Sequence, residues 1–319
     1  MNKFYELLFL KQLKGVGNST INRKYISQIK DINGIEECIK LVNQCETKLT
    51  SFDIEKARKN AEEKYKGVMD ALDIEIITLF DEKYPKQLMD LKEKKPVILY
   101  VKGNPSLLKQ KSIAVVGTRE PSVWSKRVER KMVNKITSIS DMVIVSGLAL
   151  GCDRIAHETT VQVKAKTIAV LPSGVNIITP SSNKKLAQDI LDNGGCLVSE
   201  YEPNAKVTKS TYVERDAIIA ALTKATMVIE CEEESGTMHT VNAAENMRRN
   251  LACYYIEDSS KGRYKGNELI IKEKGATKVS DTEELTEFLD AIGKESEESG
   301  ICGEQMTLPF DMNEYVSSK

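Results

Sequence analysis

The sequence predicts an α/β protein with a doubly wound, mostly parallel, Rossmann-like sheet and a small helical N-terminal domain. From residue 112 onward, short continuous apolar runs alternate with amphipathic stretches, the pattern of parallel strands that helices cover on both faces. The first 66 residues carry helical periodicity. The composition, 41% hydrophobic and 29% charged, is that of an ordinary globular protein.

Residues 1–66 are predicted to form the helical domain. Two apolar-periodic stretches flank a segment in which Gly15 and Gly17 suit a tight turn and Asn18 or Ser19 can cap the next helix. Such a helix-hairpin-helix shape can present backbone N–H groups to a DNA phosphate. It is also a common way to join two helices, and both interpretations stay open.

Residues 67–290 are predicted to form the domain that contains the sheet. A connector comes first, with the strand candidates IEIITLF and VILYVKG and with prolines between them. Regular alternation follows. The predicted strands are 113–116, 142–145, 167–171, 196–199, 227–230 and 251–256, and the predicted helices are 122–137, 153–163, 183–192, 214–224 and 237–249.

Residues 291–319 are predicted to be a flexible tail, because their first part is polar, acidic and rich in small residues. The hydrophobic peptide QMTLPF follows, and it resembles the peptide that docks on the bacterial sliding clamp. A tail that folds back onto its own domain is the alternative. The residues predicted to contact the clamp are Gln305, Met306, Leu308, Pro309 and Phe310.

Several classes of protein are disfavoured by the composition. The net charge of −1 shows that any nucleic-acid surface must come from local clustering of cations. Seven cysteines stand singly and the two histidines lie far apart, so no metal, cofactor or disulfide framework is expected. This cysteine usage fits a reducing cytoplasm, and no run approaches the length of a membrane span.

Five turns are predicted to lie together at one edge of the sheet, since ligands of open parallel sheets bind at the carboxyl ends of the strands. Four of the five place a glycine beside a hydroxyl residue, a combination suited to holding phosphates without a metal. Each glycine could instead only mark a strand-to-helix turn. The turns are Gly117-Thr118-Arg119, Ser146-Gly147-Leu148, Ser173-Gly174-Val175, Ser199-Glu200-Tyr201 and Ser235-Gly236-Thr237.

Arg119 is the leading candidate for an anion ligand, because it follows a buried strand by a few residues and can fork onto a phosphate. A surface salt bridge is its alternative role. His157 is expected to be a packed structural residue, because no nucleophile precedes it. No catalytic constellation is present in the sequence, so a binding protein is predicted rather than an enzyme.

At these residues the chain resembles the DNA-processing protein A family, also called DprA or Smf. IAVVGTREPS resembles the family's G-[ST]-R-x-x-S strand-to-helix turn, and VSGLALGCDRIAH resembles its S-G-x-A-x-G-x-D-x-x-A-H motif. TIAVLPSGVNIITPSSNKKL resembles its V-L-x-S-G-x-x-x-x-x-P-x-x-N segment. The matches run in order over residues 70–285, and their number and order carry the resemblance.

The resemblance implies an extended Rossmann fold, a sterile-alpha-motif-like N-terminal domain and a homodimer. It implies binding of single-stranded DNA, protection of that DNA and loading of the RecA recombinase in natural transformation and homologous recombination. The family's arginine that contacts DNA phosphate corresponds to Arg119. Trp124 and Tyr212 are candidates for base stacking, and a packing role on its helix stays open for Trp124. The predicted DNA-binding residues are Gly117, Thr118, Arg119, Ser122, Ser146, Gly147, Ser173, Gly174, Tyr212, Arg215, Ser235, Gly236 and Thr237.

The chain departs from the family pattern at several positions. Leu150 stands where the family usually has an arginine, and Asp216 and Ala217 replace the Asn and Arg of its F-P-x-R-N-R motif. The V-P-G after the last strand is missing. Binding is therefore weaker than in the family, or other lysines carry it, or the chain is a diverged paralogue with another task such as phage defence. The replacement lysines proposed are Lys206, Lys209 and Lys224.

Two further functions stay open on the same fold. A nucleotide-binding sensor or phosphoribohydrolase-like enzyme would use a P-G-G-x-G-T-x-x-E segment, of which this chain keeps only SGT at 235–237. A structural adaptor would use the sheet only as a scaffold for dimerisation.

Overall fold

The computed structural model of the protein describes residues 3–45, 49–71, 73–257 and 262–301. Its centre is a nine-stranded sheet with the strand order β1-β2-β6-β5-β4-β3-β7-β8-β9. The strands are β1 (Ile74–Thr78), β2 (Ile98–Gly103), β3 (Ser112–Val116), β4 (Val143–Ser146), β5 (Thr167–Val170), β6 (Cys196–Ser199), β7 (Ala225–Val228), β8 (Asn250–Tyr254) and β9 (Thr277–Val279).

The sheet is mostly parallel, as predicted. β2 runs antiparallel to both β1 and β6, and every other neighbouring pair is parallel. From β3 the chain proceeds outward through β4, β5 and β6, and from β7 it proceeds the other way through β8 and β9. The direction of winding therefore reverses between β3 and β7, which are paired from Ile113 opposite Ala225 to Val116 opposite Val228.

Helices cover both faces of the sheet, which is why its central strands are continuously apolar. Along β3, Ala114 and Val116 join one buried cluster, and Ile113 and Val115 join the cluster on the opposite face. The covering helices are α6 (Val123–Ile139), α7 (Cys152–Gln162), α8 (Lys184–Asp192), α9 (Lys209–Leu222), α10 (Thr237–Asn246), α11 (Lys265–Lys274) and α12 (Thr282–Ile301). Within the described ranges, no helix is long and apolar enough to cross a membrane.

Short helices precede the sheet and pack on its edge. They share a buried cluster with Ile98 and Tyr100 on β2, and the Asn22 side chain donates hydrogen bonds to the carbonyls of Glu93 and Lys95 at 2.9 and 2.8 Å. These helices are α1 (Phe4–Gln12), α2 (Asn18–Thr20), a π-helical turn (Ile21–Tyr25), α3 (Ile26–Ile29), α4 (Ile35–Cys45) and α5 (Ser51–Met69).

Some element boundaries differ from the predicted ones. α9 begins at Lys209 rather than 214, because Thr208 caps it by accepting a hydrogen bond from the Thr211 amide. α5 continues to Met69 and α12 crosses residue 290, so a helix spans each of the two predicted domain boundaries. The division into a helical domain, a sheet domain and a tail stays a prediction.

Candidate functional site

A cavity of about 700 Å³ opens at the carboxyl ends of β3 and β7. Its wall includes the turn after β3, one side of α9 and the N-terminus of α10. We call this cavity the cradle. Its wall includes Thr118, Arg119, Tyr212, Asp216 and Thr237. Because the winding direction reverses there, the cradle occupies the position where open α/β sheets bind ligands.

The turn after β3 is held in place by Glu230, which lies just past β7 and is 1% exposed. The Thr118 amide donates to the Glu230 carbonyl at 2.8 Å, and the Ser122 amide donates to its carboxylate at 2.9 Å. Arg263 donates to the other carboxylate oxygen at 3.1 Å. The backbone that carries Arg119 is therefore fixed at both ends by one buried acid.

Two glycines let the turns after β3 and β4 cross at close range. A Cβ atom on Gly117 would lie 2.6 Å from the Cys152 sulfur. Gly151 has φ of +76°, and a Cβ atom there would lie 2.3 Å from the Thr118 carbonyl oxygen. Any larger residue at Gly151 would push against the backbone that positions Arg119.

Arg119 is exposed at the rim of the cradle. Its guanidinium carbon lies 5.4 Å from the centroid of the Tyr212 ring, within the range of a cation–π contact. Within the described part of the chain it forms no ion pair with a carboxylate. The side chain is therefore placed over an aromatic ring with its hydrogen-bond donors directed to solvent or to a ligand.

Arg215 is 4% exposed and has a different environment. One of its terminal nitrogens donates to the carbonyls of Gly147 and Val170, the latter at 3.0 Å, and its Nε donates to Asp216 at 2.8 Å. Its guanidinium carbon also lies 5.9 Å from the Tyr212 ring centroid. Arg215 thus ties α9 to the ends of β4 and β5 and supports Tyr212; its predicted contact with DNA stays a prediction.

The turn after β4 directs its polar groups inward. The Ser146 hydroxyl is buried and donates to the Val115 carbonyl at 2.8 Å. The amides of Gly147 and Ala149 donate to one oxygen of Asp153 at 3.1 and 3.3 Å. The predicted ligands Ser146 and Gly147 are therefore engaged inside the protein, beneath the cradle rather than on its surface.

The turn before α10 does face the cradle. Gly236 is exposed, and the Thr237 amide donates to the Ser235 hydroxyl at 3.2 Å. These residues and the first turn of α10 line the cavity beside His239. The amides of Met238 and His239 donate to the Ser235 and Gly236 carbonyls, both at 3.0 Å, so the exposed backbone of Gly236 is the part of this turn that faces the predicted anion. Glu232 lines the same wall, so the acidic run before this turn lies close to the predicted anion site.

The remaining predicted turns lie outside the cradle. The Ser173 hydroxyl donates to the Ile177 carbonyl at 2.6 Å, and the Gly174 amide donates to the Ala205 carbonyl at 3.0 Å. Glu200 and Tyr201 line a second cavity of about 800 Å³, between α9 and the N-terminal helices. Ala217, which replaces a family arginine, also lines that second cavity.

The cradle carries charges of both signs. Arg119 and Lys209 are exposed on its wall, and Arg263 contributes a half-exposed guanidinium that sequence reasoning missed. Asp216 lies deeper, and burial raises its pKa to about 6, against the opposing effect of Arg215. The exposed acids Glu120 and Glu232 line the cavity as well, so the rim carries both signs of charge and Asp216 lies beneath it.

Other ionisable groups near the sheet are buried and structural. His157 bonds Thr167 at 2.8 Å, and burial lowers its pKa to about 3, in agreement with its predicted packing role. Burial raises the pKa of Glu129 and of the neighbouring Cys152 thiol well above their usual values. Among the residues that the structure describes, no group of three or more His, Cys, Asp and Glu side chains is placed to hold a metal ion.

The fold and the location of the cradle define the class of the protein: a Rossmann-like protein with a candidate ligand site where the winding of its sheet reverses. Residues 75–290 match the family model of DNA recombination-mediator protein A. The chain therefore belongs to that family, the DprA/Smf family which the sequence motifs resemble.

Named relatives support the same assignment. The chain is 36% identical over 174 residues to DNA processing protein DprA of Streptococcus pneumoniae, covering 54% of this chain and 60% of that protein. It is 31% identical over 217 residues to DNA processing protein DprA of Bacillus subtilis, covering 68% of this chain and 71% of that protein.

Solved structures agree with the sequence matches. The X-ray structure of the Streptococcus pneumoniae protein superposes with a TM-score of 0.76 at 27% identity, covering 90% of this chain and 97% of that chain. DNA processing protein A from Helicobacter pylori, whose structure is described for its unique single-stranded DNA binding mode, superposes with a TM-score of 0.60 at 27% identity. That match covers 69% of this chain and 97% of the Helicobacter chain.

Proposed function

We propose that this protein binds single-stranded DNA in the cradle, without chemistry of its own, in DNA processing for transformation and homologous recombination. One observation carries the proposal: Arg119 is exposed at the rim of the cradle, lies over the Tyr212 ring and has no carboxylate partner within the described residues. The single-stranded DNA binding mode described for the Helicobacter pylori relative supports it.

The proposed binding follows from the geometry of the rim. The Arg119 guanidinium forks onto a backbone phosphate, and the exposed backbone of Gly236, before α10 in the same cavity wall, contacts a second anionic oxygen. Tyr212 offers a ring on which an unpaired base stacks. Because Arg119 lies over that ring at 5.4 Å in the free protein, its movement to the phosphate also uncovers the ring for the base.

The test is a salt titration of oligothymidylate binding, read by fluorescence anisotropy. Each phosphate contact adds about 0.7 to the slope of log affinity against log salt for single strands. We expect Arg119→Ala to weaken binding by about tenfold and to flatten this slope. Arg23→Ala, which removes an exposed arginine on the N-terminal helices, is the matched control. Equal affinities and slopes for wild type and Arg119→Ala would contradict the proposal.

Loading of the RecA recombinase and formation of a homodimer are proposed from the family resemblance. Loading is tested by recombinase assembly on DNA already coated with a single-stranded DNA-binding protein. We expect the wild type to shorten the lag before assembly, and Arg119→Ala to lose this effect because it releases the strand. A lag that is unchanged by the wild type would contradict loading, while leaving DNA binding intact.

The clamp-binding peptide at 305–310 lies outside the described residues and stays a prediction. We expect immobilised sliding clamp to retain the full-length protein. The double variant Gln305→Ala with Phe310→Ala should not be retained, because it lacks the peptide's polar anchor and its largest apolar side chain. Equal recovery of the two proteins would rule out this docking site.

A mononucleotide ligand is the second candidate, because a cavity of about 700 Å³ is within the usual size range of small-molecule sites. A phosphoribohydrolase would release free base from nucleoside monophosphates, and a sensor would bind them in competition with DNA. Chromatography of the incubated nucleotides, together with competition against labelled oligothymidylate, distinguishes both from a polymer-binding site.

A further inference from the structure

We propose that the exposed face of α6 is a second binding track that continues from the cradle and holds the sugar-phosphate backbone of the same single strand. We call it the α6 track, defined by Lys126, Arg127, Arg130, Lys131 and Lys135. This inference rests on the proposed function, since the strand is anchored at Arg119, but it assigns a separate surface to the nucleotides on one side of that anchor.

The α6 track has an excess of uncompensated positive charge. Lys126, Arg127, Arg130 and Lys131 are exposed, and within the described part of the chain none of the track's cations forms an ion pair with a carboxylate. The single acid on the helix, Glu129, is fully buried on the opposite side. The exposed face of α6 therefore carries only positively charged side chains among its ionisable residues, although the whole chain has a net charge of −1.

The neighbouring helices leave this charge in place. α12 packs along α6 and carries exposed acids at Glu283 and Glu287, yet neither forms an ion pair with the track in the described structure. Lys185 on α8, by contrast, pairs with Asp189 at 2.9 Å. The positive charge of the α6 track is therefore not compensated by a carboxylate within the described structure.

The spacing of the cations suits an extended polyanion. Positions three and four apart share a helix face, so Arg127, Lys131 and Lys135 form one row and Lys126 and Arg130 form the row beside it. At a rise of 1.5 Å per residue, the rows extend over about 14 Å along the helix axis. This length accommodates several phosphates of one strand, whereas a free nucleotide or a single phosphate would use only one end.

The α6 track is continuous with the cradle. Ser122, at the end of the Arg119 turn, caps α6 by accepting a hydrogen bond from the Ser125 amide. Val123 and Trp124 follow and are 69% and 52% exposed, and the Trp124 indole N–H donates to the Tyr254 hydroxyl at 2.8 Å. An exposed aromatic residue beside a row of cations is the combination that single-stranded DNA sites use.

The far end of the track opens into a surface groove between α6 and α12. Asn134, Thr137 and Thr282 line it beside Lys131 and Lys135. The side chains of Asn134 and Thr282 are neutral donors that suit phosphate oxygens, whereas the Thr137 hydroxyl donates to the Val133 carbonyl at 2.9 Å. The row of cations leads into this groove. A polyanion anchored at Arg119 would meet the α6 track at high effective concentration, which an unconnected acidic protein would not.

The experiment compares two oligothymidylates, of about 6 and about 16 nucleotides, which bracket common site sizes. The track variant carries Lys126→Gln, Arg127→Gln, Arg130→Gln and Lys131→Gln. The control variant carries Lys40→Gln, Lys56→Gln, Lys59→Gln and Lys66→Gln, which removes the same charge from exposed positions of α4 and α5. Thermal unfolding of each variant checks that the fold is retained.

We expect wild type and the control to bind the longer oligomer more tightly and with a steeper salt dependence than the shorter one. The track variant should bind the longer oligomer about tenfold more weakly, with a shallower salt slope, and should bind the shorter oligomer as the control does. Fluorescence of Trp124, the protein's one tryptophan, should change more with the longer oligomer in the wild type.

Two results would overturn the inference, and they are distinguishable. In the first result, the wild type binds both oligomers with equal affinity through Arg119, or the track variant still binds the longer oligomer more tightly by the same factor as the wild type. The α6 track is then not used, and the cradle proposal survives. If neither oligomer binds to the wild type, the proposed function fails and the α6 track fails with it.

Discussion

Asp216 is the residue of the cradle wall at which this chain changes the charge of the family motif, since the family has asparagine there. Its carboxylate accepts a hydrogen bond from Arg215 at 2.8 Å, but burial outweighs this favourable contact and raises the pKa to about 6. Asp153 adds to the increase, and Arg215 and His239 oppose it. The wall of the cradle therefore contains a carboxyl group that takes up a proton at a higher pH than an ordinary aspartate.

This shift predicts a pH dependence of stability. Because the folded-state pKa is raised from 3.8 to about 6, the folded protein holds the proton more tightly than the unfolded chain between these values. The free energy of unfolding should therefore fall as pH rises from about 4 to about 6, with a total contribution of about 3 kcal/mol. Asp216→Asn should lack this component.

The measurement is urea unfolding of wild type and Asp216→Asn at a series of pH values. Subtracting the two curves cancels groups such as His157, whose lowered pKa acts in the opposite direction below about pH 6.5. We expect the wild type to lose stability relative to the variant across the pH 4–6 window. A difference that is constant with pH would show that Asp216 titrates alike in both states.

At the residue level, the sequence predicted that Arg119 lies at the edge of the sheet, and its contact with DNA stays a prediction. The sequence did not predict the internal partners of Arg215. Arg119 could be placed because it follows a buried strand at short range and in a known motif. The partners of Arg215 are carbonyls 68 and 45 residues away, on Gly147 and Val170. Backbone carbonyls have no residue-type signature, so no pattern in the sequence shows that this guanidinium is already satisfied.

At the scale of elements, the crossing of the turns after β3 and β4 positions the anchor of the site. Gly151 enables that crossing, because its φ is +76° and a Cβ atom there would lie 2.3 Å from the Thr118 carbonyl oxygen, which leaves no room for a side chain. The cradle depends on this contact, because both Thr118 and Arg119 belong to the backbone that Gly151 touches.

Gly151→Ala should therefore destabilise the protein by about 1–3 kcal/mol from the strained backbone, with a further cost from displacing the turn. It should also weaken DNA binding, since Arg119 moves with that turn. Thermal unfolding and anisotropy measure the two effects. Gly67→Ala is the control, because Gly67 lies in α5 with no atom near its Cβ position; this variant should keep or slightly raise the melting temperature, since alanine is the better helix former. If Gly151→Ala unfolds at the same temperature as the wild type, the close contact between the two turns is contradicted.

Strands β1 to β8 were predictable because each is a short, mostly apolar run bounded by polar turns. β9, α11 and α12 were not predicted. β9 spans only Thr277–Val279, with its first two residues exposed, so it lacks the apolar run that identified the others. The start of α9 was placed too late because its cap, Thr208, is paired with Thr211 rather than with the usual Glu or Gln.

At the scale of the whole molecule, strand order decided which predicted site residues meet. The sequence placed five turns on one edge. In the structure the turns at Arg119 and Gly236 line the cradle, the turn at Glu200 lines the second cavity on the other side of α9, and the other two turns line neither cavity. Which strands are neighbours depends on long-range packing rather than on local pattern. The sequence could therefore predict that these turns lie at one edge of the sheet. It could not predict that α9 separates the turns that line the cradle from the turn that lines the second cavity.

The N-terminal helices predict a further whole-molecule property. Their buried cluster includes Ile98 and Tyr100 of β2 and Val97, which precedes this strand; all three are 0% exposed. Removing residues 1–69 would expose these side chains, each of which contributes about 1.5–3 kcal/mol when buried. We expect the fragment 70–319 to unfold at a markedly lower temperature than the full chain and to bind the apolar dye ANS.

Lys11→Ala in the full chain is the control for this comparison, because it removes the hydrogen bond from Lys11 to the Glu200 carbonyl at 3.1 Å and leaves the apolar cluster intact. It should cost no more than about 1.5 kcal/mol. A fragment that melts like the full chain, without binding ANS, would show that the helices are an independent appendage. In the expected case, the helices and β2 share one buried core. By stabilising β2 the helices also stabilise the sheet, which carries the cradle at β3 and β7.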